Sequence, residues 1–240
     1  KGEIRSKLTP KISELFKLKN NFYKGTADIV LNLTQEDKEN NDWNINFVAD
    51  LEKANFIFSP IGYEKKKDIP GMIKGDMLLT NFKLESIKKL NFEFPNTFAN
   101  IDVYFDVFGD LKNIVVNQFK NSKNDFKGKI IFLKNNQIEI FMDAEKTDIT
   151  RFFEDNMNDK LYYDFIINGK TKSLLYKDLD LGKAKIKYSI KNNKIEKLES
   201  SLTLDKDSYF NFNISNANNN VSKITMNSNN TGLLAKKLNV

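Results

Sequence analysis

The stretch that decides the fold runs Ala184-Lys185-Ile186-Lys187-Tyr188-Ser189-Ile190, and the residues after it are Lys191-Asn192-Asn193-Lys194. Its apolar residues occupy every second position, which places them on one face of a β-strand and the polar residues on the other. The Asn pair that follows is typical of a hairpin turn, because Asn tolerates the left-handed backbone conformation. The stretch therefore predicts a strand that ends in a tight turn.

The same alternation recurs along the whole chain. Five more segments show apolar side chains two residues apart, at 27–33, 43–51, 101–107, 138–144 and 210–214. Short polar stretches such as 134–137 separate them and predict further turns. Strand after strand joined by short turns predicts an all-β fold, a long antiparallel meander. With four Pro and ten Gly the chain has no linker-like stretch, so we expect a single elongated β domain over residues 1–240.

Only three places carry signals for a helix, and each predicted helix is short. Each begins at a residue that can cap the first turn: Thr9 before Pro10 for a helix near 9–18, Thr147 or Asp148 for 147–155, and Asn230 or Thr231 for 230–238.

The composition excludes most kinds of catalytic and metal site. The chain has no Cys and no His, which rules out a thiol nucleophile, a Ser-His-Asp triad and a His-ligated metal. The stretch Asp178-Leu179-Asp180-Leu181-Gly182 lacks the further carboxylates of a calcium loop and is interpreted as a turn. Carboxylates on the strands fall on the polar side, which is typical of a soluble outer face. We therefore expect no enzyme activity, no metal and no cofactor, and an enzyme that uses carboxylates is the weakest interpretation.

The charge balance is basic, with 38 Lys and Arg against 32 Asp and Glu. Only Arg5 and Arg151 are arginine, whereas proteins that read nucleic acid favour Arg for its bidentate hydrogen bonds. Most Phe residues lie in phase with aliphatic residues, which indicates a hydrophobic interior rather than a platform for bases. The longest basic run, Lys65-Lys66-Lys67, is interpreted as solvated surface. We expect no nucleic-acid partner.

The apolar faces of such strands allow two architectures. A second sheet can seal them, as in a β-sandwich that serves as a binding or scaffold module. Alternatively, a single long meander curls without sealing, and its apolar face lines an open groove wide enough for acyl chains. The alternation of residues alone leaves both possibilities open.

Several segments, taken together, resemble one family. These segments are 8–16, 25–33, 48–56, 60–65, 69–71, 147–153 and 230–240. The most specific are the region from Ala49-Asp50-Leu51 to Ile69-Pro70-Gly71 and the closing Thr231-Gly232-Leu233-Leu234-Ala235-Lys236-Lys237-Leu238. The chain resembles the AsmA-like superfamily, in particular its YhdP-type branch, which are bacterial bridge-like lipid transfer proteins of the cell envelope.

This resemblance implies a fold, a location and a function. It implies a meander curled into an open groove, a β-taco, in the periplasmic portion of an inner-membrane-anchored protein of a Gram-negative bacterium. The chain starts at Lys1 without a signal-like apolar core, so we expect a segment of a longer protein whose membrane anchor lies outside it. The implied function is to bind phospholipid and help move it between the inner and outer membranes, with outer-membrane components as further partners. The family implies no catalytic residue.

The alternation selects the residues that would line such a groove. All are apolar side chains in phase along one face of a predicted strand: Ile101, Val103, Phe105, Val107, Ile138, Ile140, Met142, Ile186, Tyr188, Ile190, Phe210, Phe212 and Ile214.

Overall fold

The computed structural model describes residues 1–8, 23–37, 39, 41–58, 63–150, 164–192, 194–217 and 221–238. Most of these residues lie in strands of a large mixed sheet that is not closed into a barrel, which confirms the all-β, open-sheet prediction. The chain divides into two compact units, Lys1–Lys112 and Asn113–Val240. That the whole chain folds as one domain stays a prediction.

Unit 1 contains a main sheet and a small one. Its strands are β1 (Gly2–Leu8), β2 (Tyr23–Gly25), β3 (Ala27–Asp37), β4 (Asp42–Asp50), β5 (Ala54–Phe58), β6 (Tyr63–Lys65), β7 (Met72–Thr80), β8 (Lys83–Phe94) and β9 (Thr97–Phe105). The main sheet has the order β1-β3-β4-β7-β8-β9, and β2-β5-β6 form the second sheet. Neighbouring strands in both are antiparallel.

Unit 2 contains the remaining strands and a terminal helix. These elements are β10 (Leu111–Lys120), β11 (Asp125–Leu133), β12 (Gln137–Asp148), β13 (Asp164–Tyr176), β14 (Leu179–Asp180), β15 (Lys183–Lys191), β16 (Lys194–Thr203), β17 (Tyr209–Ala217), β18 (Val221–Ser228) and α1 (Thr231–Leu238). The strand order is β10-β11-β12-β13-β15-β16-β17-β18, and β14 pairs with β13.

The prediction of a purely antiparallel meander is wrong at one pair, because β12 and β13 run parallel. Parallel neighbours need a crossover of about a dozen residues or more, and the chain between Asp148 and Asp164 is long enough to provide one.

Thr147 and Asp148 are the last residues of β12, so the helix predicted over 147–155 does not begin at Thr147. The Asp148 carboxylate accepts a hydrogen bond from the Thr150 backbone N–H at 2.8 Å, as a capping residue does. Residues 151–155 lie outside the described part of the chain.

The helix predicted over 230–238 is confirmed as α1. The Asn230 side-chain oxygen caps it by accepting a hydrogen bond from the Leu233 N–H at 3.0 Å. The helix predicted near 9–18 falls on residues outside the described ranges.

Predicted turns are confirmed by backbone conformation. Asn135 and Asn136 have φ of 71° and 56° and lie in the three-residue hairpin loop between the paired residues Leu133 and Gln137. In the stretch predicted as a turn, Lys177 and Asp178, with φ of 49° and 64°, connect β13 to β14, and Leu179–Asp180 forms that short strand. Gly182 has φ +101°, and a Cβ there would collide with the Thr203 carbonyl oxygen, so only glycine fits.

Lys65 contradicts the prediction that the basic run 65–67 is solvated surface. Its side chain is 1% exposed, and its ammonium donates hydrogen bonds to the carbonyl oxygens of Leu51 at 2.6 Å and Ala54 at 2.8 Å. A buried ammonium is tolerated when backbone carbonyl oxygens accept hydrogen bonds from its N–H groups. These carbonyls belong to the turn beside the small core of unit 1, which Ala27, Ala49, Leu51 and Ala54 form.

Candidate functional site

An aliphatic row crosses the sheet of unit 2. Residues paired across neighbouring strands point to the same face, and the registers from β10 to β18 bring one residue of each strand into this row. The aliphatic row consists of Ile114, Ile130, Ile140, Ile167, Tyr188, Leu198, Ile214 and Ile224. All are partly buried except Ile224, which is 57% exposed. Burial also raises the pKa of the Tyr188 phenol, which keeps it neutral.

A second row on the same face alternates small and large residues. We call it the alternating row, and it consists of Gly128, Met142, Gly169, Ile186, Ser200, Phe212 and Met226. The Ser200 hydroxyl donates to the Phe212 carbonyl oxygen at 3.2 Å, so its polar group is satisfied within the sheet. Where glycine or serine stands, the surface dips between two bulky side chains.

Helix α1 packs at one end of this face. The end row beside the alternating row consists of Phe126, Ala144, Thr171, Ala184, Leu202 and Phe210. Leu233, Leu234 and Leu238 of α1 pack against the buried cluster that includes Ala184 and Leu202. Of the end row, Ala184, Leu202 and Phe210 therefore belong to the cluster at which α1 packs.

The opposite face of the same strands is polar and carries a cavity of about 840 Å³. Side chains that the registers place on this polar face line it, among them Lys127, Lys129, Phe141, Asp143, Asn168, Lys170, Lys185, Lys187, Glu199, Ser201, Asn211 and Asn213. Of the groove candidates, Met142 and Ile186 border it. The cavity thus lies on the face opposite to the aliphatic row.

Nine of the thirteen groove candidates share the apolar face of unit 2. Ile140, Tyr188 and Ile214 belong to the aliphatic row, and Met142, Ile186 and Phe212 to the alternating row. Phe210 lies in the end row, at the cluster against which α1 packs. Ile138 and Ile190 lie beyond the aliphatic row, in register with Phe165 between them, and both are buried. The strands thus bring together side chains far apart in sequence.

In unit 1, β9 carries Ile101, Val103 and Phe105. Val103 is in register with Ile87 of β8, and Ile101 with Leu90. Val103 and Leu90 are buried, whereas Ile101 and Phe105 are partly buried. The row through Val103 continues across β7, β4 and β3 as Met77, Ile45 and Leu33. Unit 1 therefore has an apolar face built in the same way as that of unit 2.

Val107 lies outside these rows. Strand β9 ends at Phe105, because the Asp106 carboxylate accepts hydrogen bonds from the N–H groups of Phe108 at 2.9 Å and Asp110 at 3.0 Å. This closes a turn that leaves Val107 73% exposed. The strand predicted to Val107 therefore ends two residues earlier. The signal in the sequence that could have indicated the turn is Gly109, which has φ +86° in the structure.

Sequence reasoning also missed members of the rows. Five residues complete the aliphatic row but stand in stretches where alternation is weaker: Ile114, Ile130, Ile167, Leu198 and Ile224. Ile167, for example, follows Phe165 and Ile166, and a continuous apolar run does not indicate which residue faces which side. Their place is fixed only by the registers with neighbouring strands.

No described helix is long and apolar enough to span a bilayer. Comparison of the chain with protein-family models, curated proteins and solved structures found no significant match. The similarity to the AsmA-like superfamily therefore rests on the sequence motifs and stays a prediction.

Proposed function

We propose that the chain binds acyl chains of phospholipids on the apolar faces of its sheets, as a segment of a cell-envelope protein that helps move lipid between the inner and outer membranes. The observation that carries this proposal is the aliphatic row. It crosses eight strands of unit 2, from Ile114 to Ile224, and its side chains are only partly buried.

The dimensions of the row suit hydrocarbon chains. Eight strands about 4.8 Å apart give a row of roughly 34 Å. The hydrocarbon core of a bilayer is about 30 Å thick, so the chains of one leaflet extend about 15 Å. Each methylene that leaves water gains about 0.8 kcal/mol, and the row can therefore hold acyl chains while the polar headgroup remains in water.

The alternating row makes the surface of the apolar face uneven. Gly128, Gly169 and Ser200 leave dips between Met142, Ile186 and Phe212, and a chain lying across the strands can settle into these dips. Since the same pattern repeats from strand to strand, neighbouring positions along the row are similar in energy. A bound chain would then slide with small barriers, and the mechanism of transport would be physical and need no catalytic group.

The runner-up function is a sealed β-sandwich that acts as a binding or scaffold module. A sandwich needs a second sheet packed face to face on the first. In unit 2 the described strands mainly contact their sheet neighbours, whereas in unit 1 Ala54 of β5 in the small sheet packs with Ala27 and Ala49 of the main sheet. In unit 2, helix α1 packs against the buried cluster at one end of the apolar face. This favours an accessible apolar face over a sealed one.

Photolabelling with a phosphatidylcholine that carries a diazirine on its acyl chain tests the proposal. We expect labelled peptides from the aliphatic and alternating rows, for example around Ile140 and Ile214. The variant Ile214→Asp should lose most of the label on β17. The matched variant Ser215→Asp, on the opposite face of the same strand, should keep it. Label confined to the polar face, or equal loss in both variants, would overturn the proposal.

A further inference from the structure

The polar face of unit 2 holds a charged cavity that acyl-chain binding does not use. Five lysines line the cavity of about 840 Å³ against two carboxylates. The lysines are Lys127, Lys129, Lys170, Lys185 and Lys187, and the carboxylates are Asp143 and Glu199. A local excess of positive charge in a concave surface attracts anions.

Both carboxylates are already engaged. The Asp143 carboxylate forms an ion pair with the Lys170 ammonium at 3.0 Å. The Glu199 carboxylate forms one with the Lys197 ammonium at 2.7 Å. The hydrogen bond from Lys197 also lowers the pKa of Glu199, with a further contribution from the charge of Lys187. Within the described residues, the other four cavity lysines have no carboxylate within 4.0 Å of their ammonium groups. These four lysines are therefore not held in ion pairs, while Lys187 and Lys127 lie in register with Glu199 and Asp143.

These four lysines form two pairs on two separate strands of the cavity. Lys127 and Lys129 lie on β11, and Lys185 and Lys187 lie on β15. Two strands, β12 and β13, separate the pairs, which corresponds to about 14 Å at the spacing of a sheet.

Phe141 and Asn168 lie in register between Lys129 and Lys187. The Phe141 ring is 41% exposed, and the Asn168 amide can donate or accept a hydrogen bond. The space between the two pairs therefore offers an apolar surface at Phe141, and the Asp143–Lys170 ion pair beside it has no net charge.

We propose that this cavity binds a small ligand with two or more phosphate groups, one for each lysine pair, around an uncharged body that packs on Phe141. Lysine ammonium groups are compact charges that bind phosphate through strong hydrogen bonds. Two pairs far apart favour two anionic groups over one. The ligand is either a free bisphosphate or the headgroup of a lipid with two phosphates, since both present the same chemistry.

Isothermal titration of the full chain with fructose 1,6-bisphosphate tests the free ligand, and sedimentation with phosphatidylcholine vesicles with and without cardiolipin tests the headgroup. Glucose 6-phosphate serves as the one-phosphate comparison and should bind more weakly. The double variant Lys129→Gln/Lys187→Gln should weaken binding of whichever probe binds by about tenfold or more. The charge-matched variant Lys206→Gln/Lys223→Gln, outside the cavity, should change it by less than about twofold.

Binding of the bisphosphate with this difference between variants supports a free ligand. Binding of cardiolipin vesicles alone, with the same difference, supports a lipid headgroup. The proposal is overturned if neither probe binds, or if both double variants weaken binding equally, because the effect would then follow net charge alone. Phe141→Ala gives a second check, since the loss of the ring should weaken the bisphosphate and leave inorganic phosphate unchanged.

Discussion

Ile140 of β12 lies directly in register with Ile167 of β13, across the one parallel pair described in unit 2. The aliphatic row therefore continues across the two neighbouring strands that run in the same direction. A shift of the register by one residue would move Phe165 and Ile167 to the polar face. The register between β12 and β13 therefore decides that Ile167 lies on the apolar face.

Lys65 fixes the turn that follows β4. Burial lowers the pKa of its ammonium, against the carboxylates of Asp50, Asp68 and Glu52, which raise it. We expect Lys65→Met to lower the free energy of unfolding by about 2–4 kcal/mol, because buried carbonyl oxygens lose a charged donor. Urea denaturation followed by circular dichroism measures this loss.

Lys66→Met is the matched control for that change, since Lys66 is the exposed neighbour of Lys65. Its effect should stay within about 0.5 kcal/mol. Equal stability of the two variants would show that the hydrogen bonds of Lys65 do not hold this turn.

The cap of α1 is a second test of the fold. Asn230→Ala removes the acceptor of the Leu233 N–H and a 3.3 Å contact with the Ser208 hydroxyl. Loss of such a cap costs about 1 kcal/mol. Thermal unfolding should show a lower midpoint for Asn230→Ala than for Asn227→Ala, an exposed position on β18. An unchanged midpoint would mean that α1 contributes little to the stability of unit 2.

Acid should destabilise unit 2 through Asp148. Burial alone would raise the pKa of this carboxyl, but hydrogen bonds from Thr150 and Lys123 outweigh burial and hold the pKa below its usual value. A carboxyl with a lowered pKa in the folded state stabilises the fold above its unfolded pKa of about 3.9. That contribution is lost as the pH falls through the folded pKa. The free energy of unfolding should therefore fall below about pH 4.

The variant Asp148→Asn isolates this contribution. At pH 7 it should be less stable than the wild type by about 1–2 kcal/mol, since hydrogen bonds to a charged group are lost. Denaturant titrations between pH 7 and pH 3 should then show a weaker dependence on pH than in the wild type. The same dependence on pH in both proteins would assign the acid sensitivity to other carboxyls, such as Asp205, whose pKa the turn also lowers.

Strand alternation could predict the apolar face because one side of each strand is buried and the other is not. The sets that include Ile140, Tyr188 and Ile214 were found this way, and the registers place these three in one row. Alternation gives the face of a residue within its own strand but not the order or direction of strands. The parallel β12–β13 pair and the members Ile130 and Ile167 therefore depended on the structure.

Features that depend on contacts distant in sequence were missed for a related reason. A run of three lysines predicts a solvated surface, and nothing local indicates that carbonyls of the turn beside Leu51 and Ala54 would surround Lys65. Likewise, no single stretch of the sequence indicates the cavity on the polar face. Its lysines come from β11, β13 and β15, and each lysine alone is typical of the soluble side of a strand.

Mass spectrometry of lipids that co-purify with the full chain, under mild conditions, tests the central proposal most directly. Ile224→Asp and Thr225→Asp provide a matched pair at the exposed edge strand β18, where the two side chains point to opposite faces and Ile224 is 57% exposed. Both should fold. We predict that the wild type and Thr225→Asp retain phospholipid and that Ile224→Asp and Ile140→Asp retain much less. Folded wild type without phospholipid, or equal retention in all variants, would contradict acyl-chain binding on the aliphatic row.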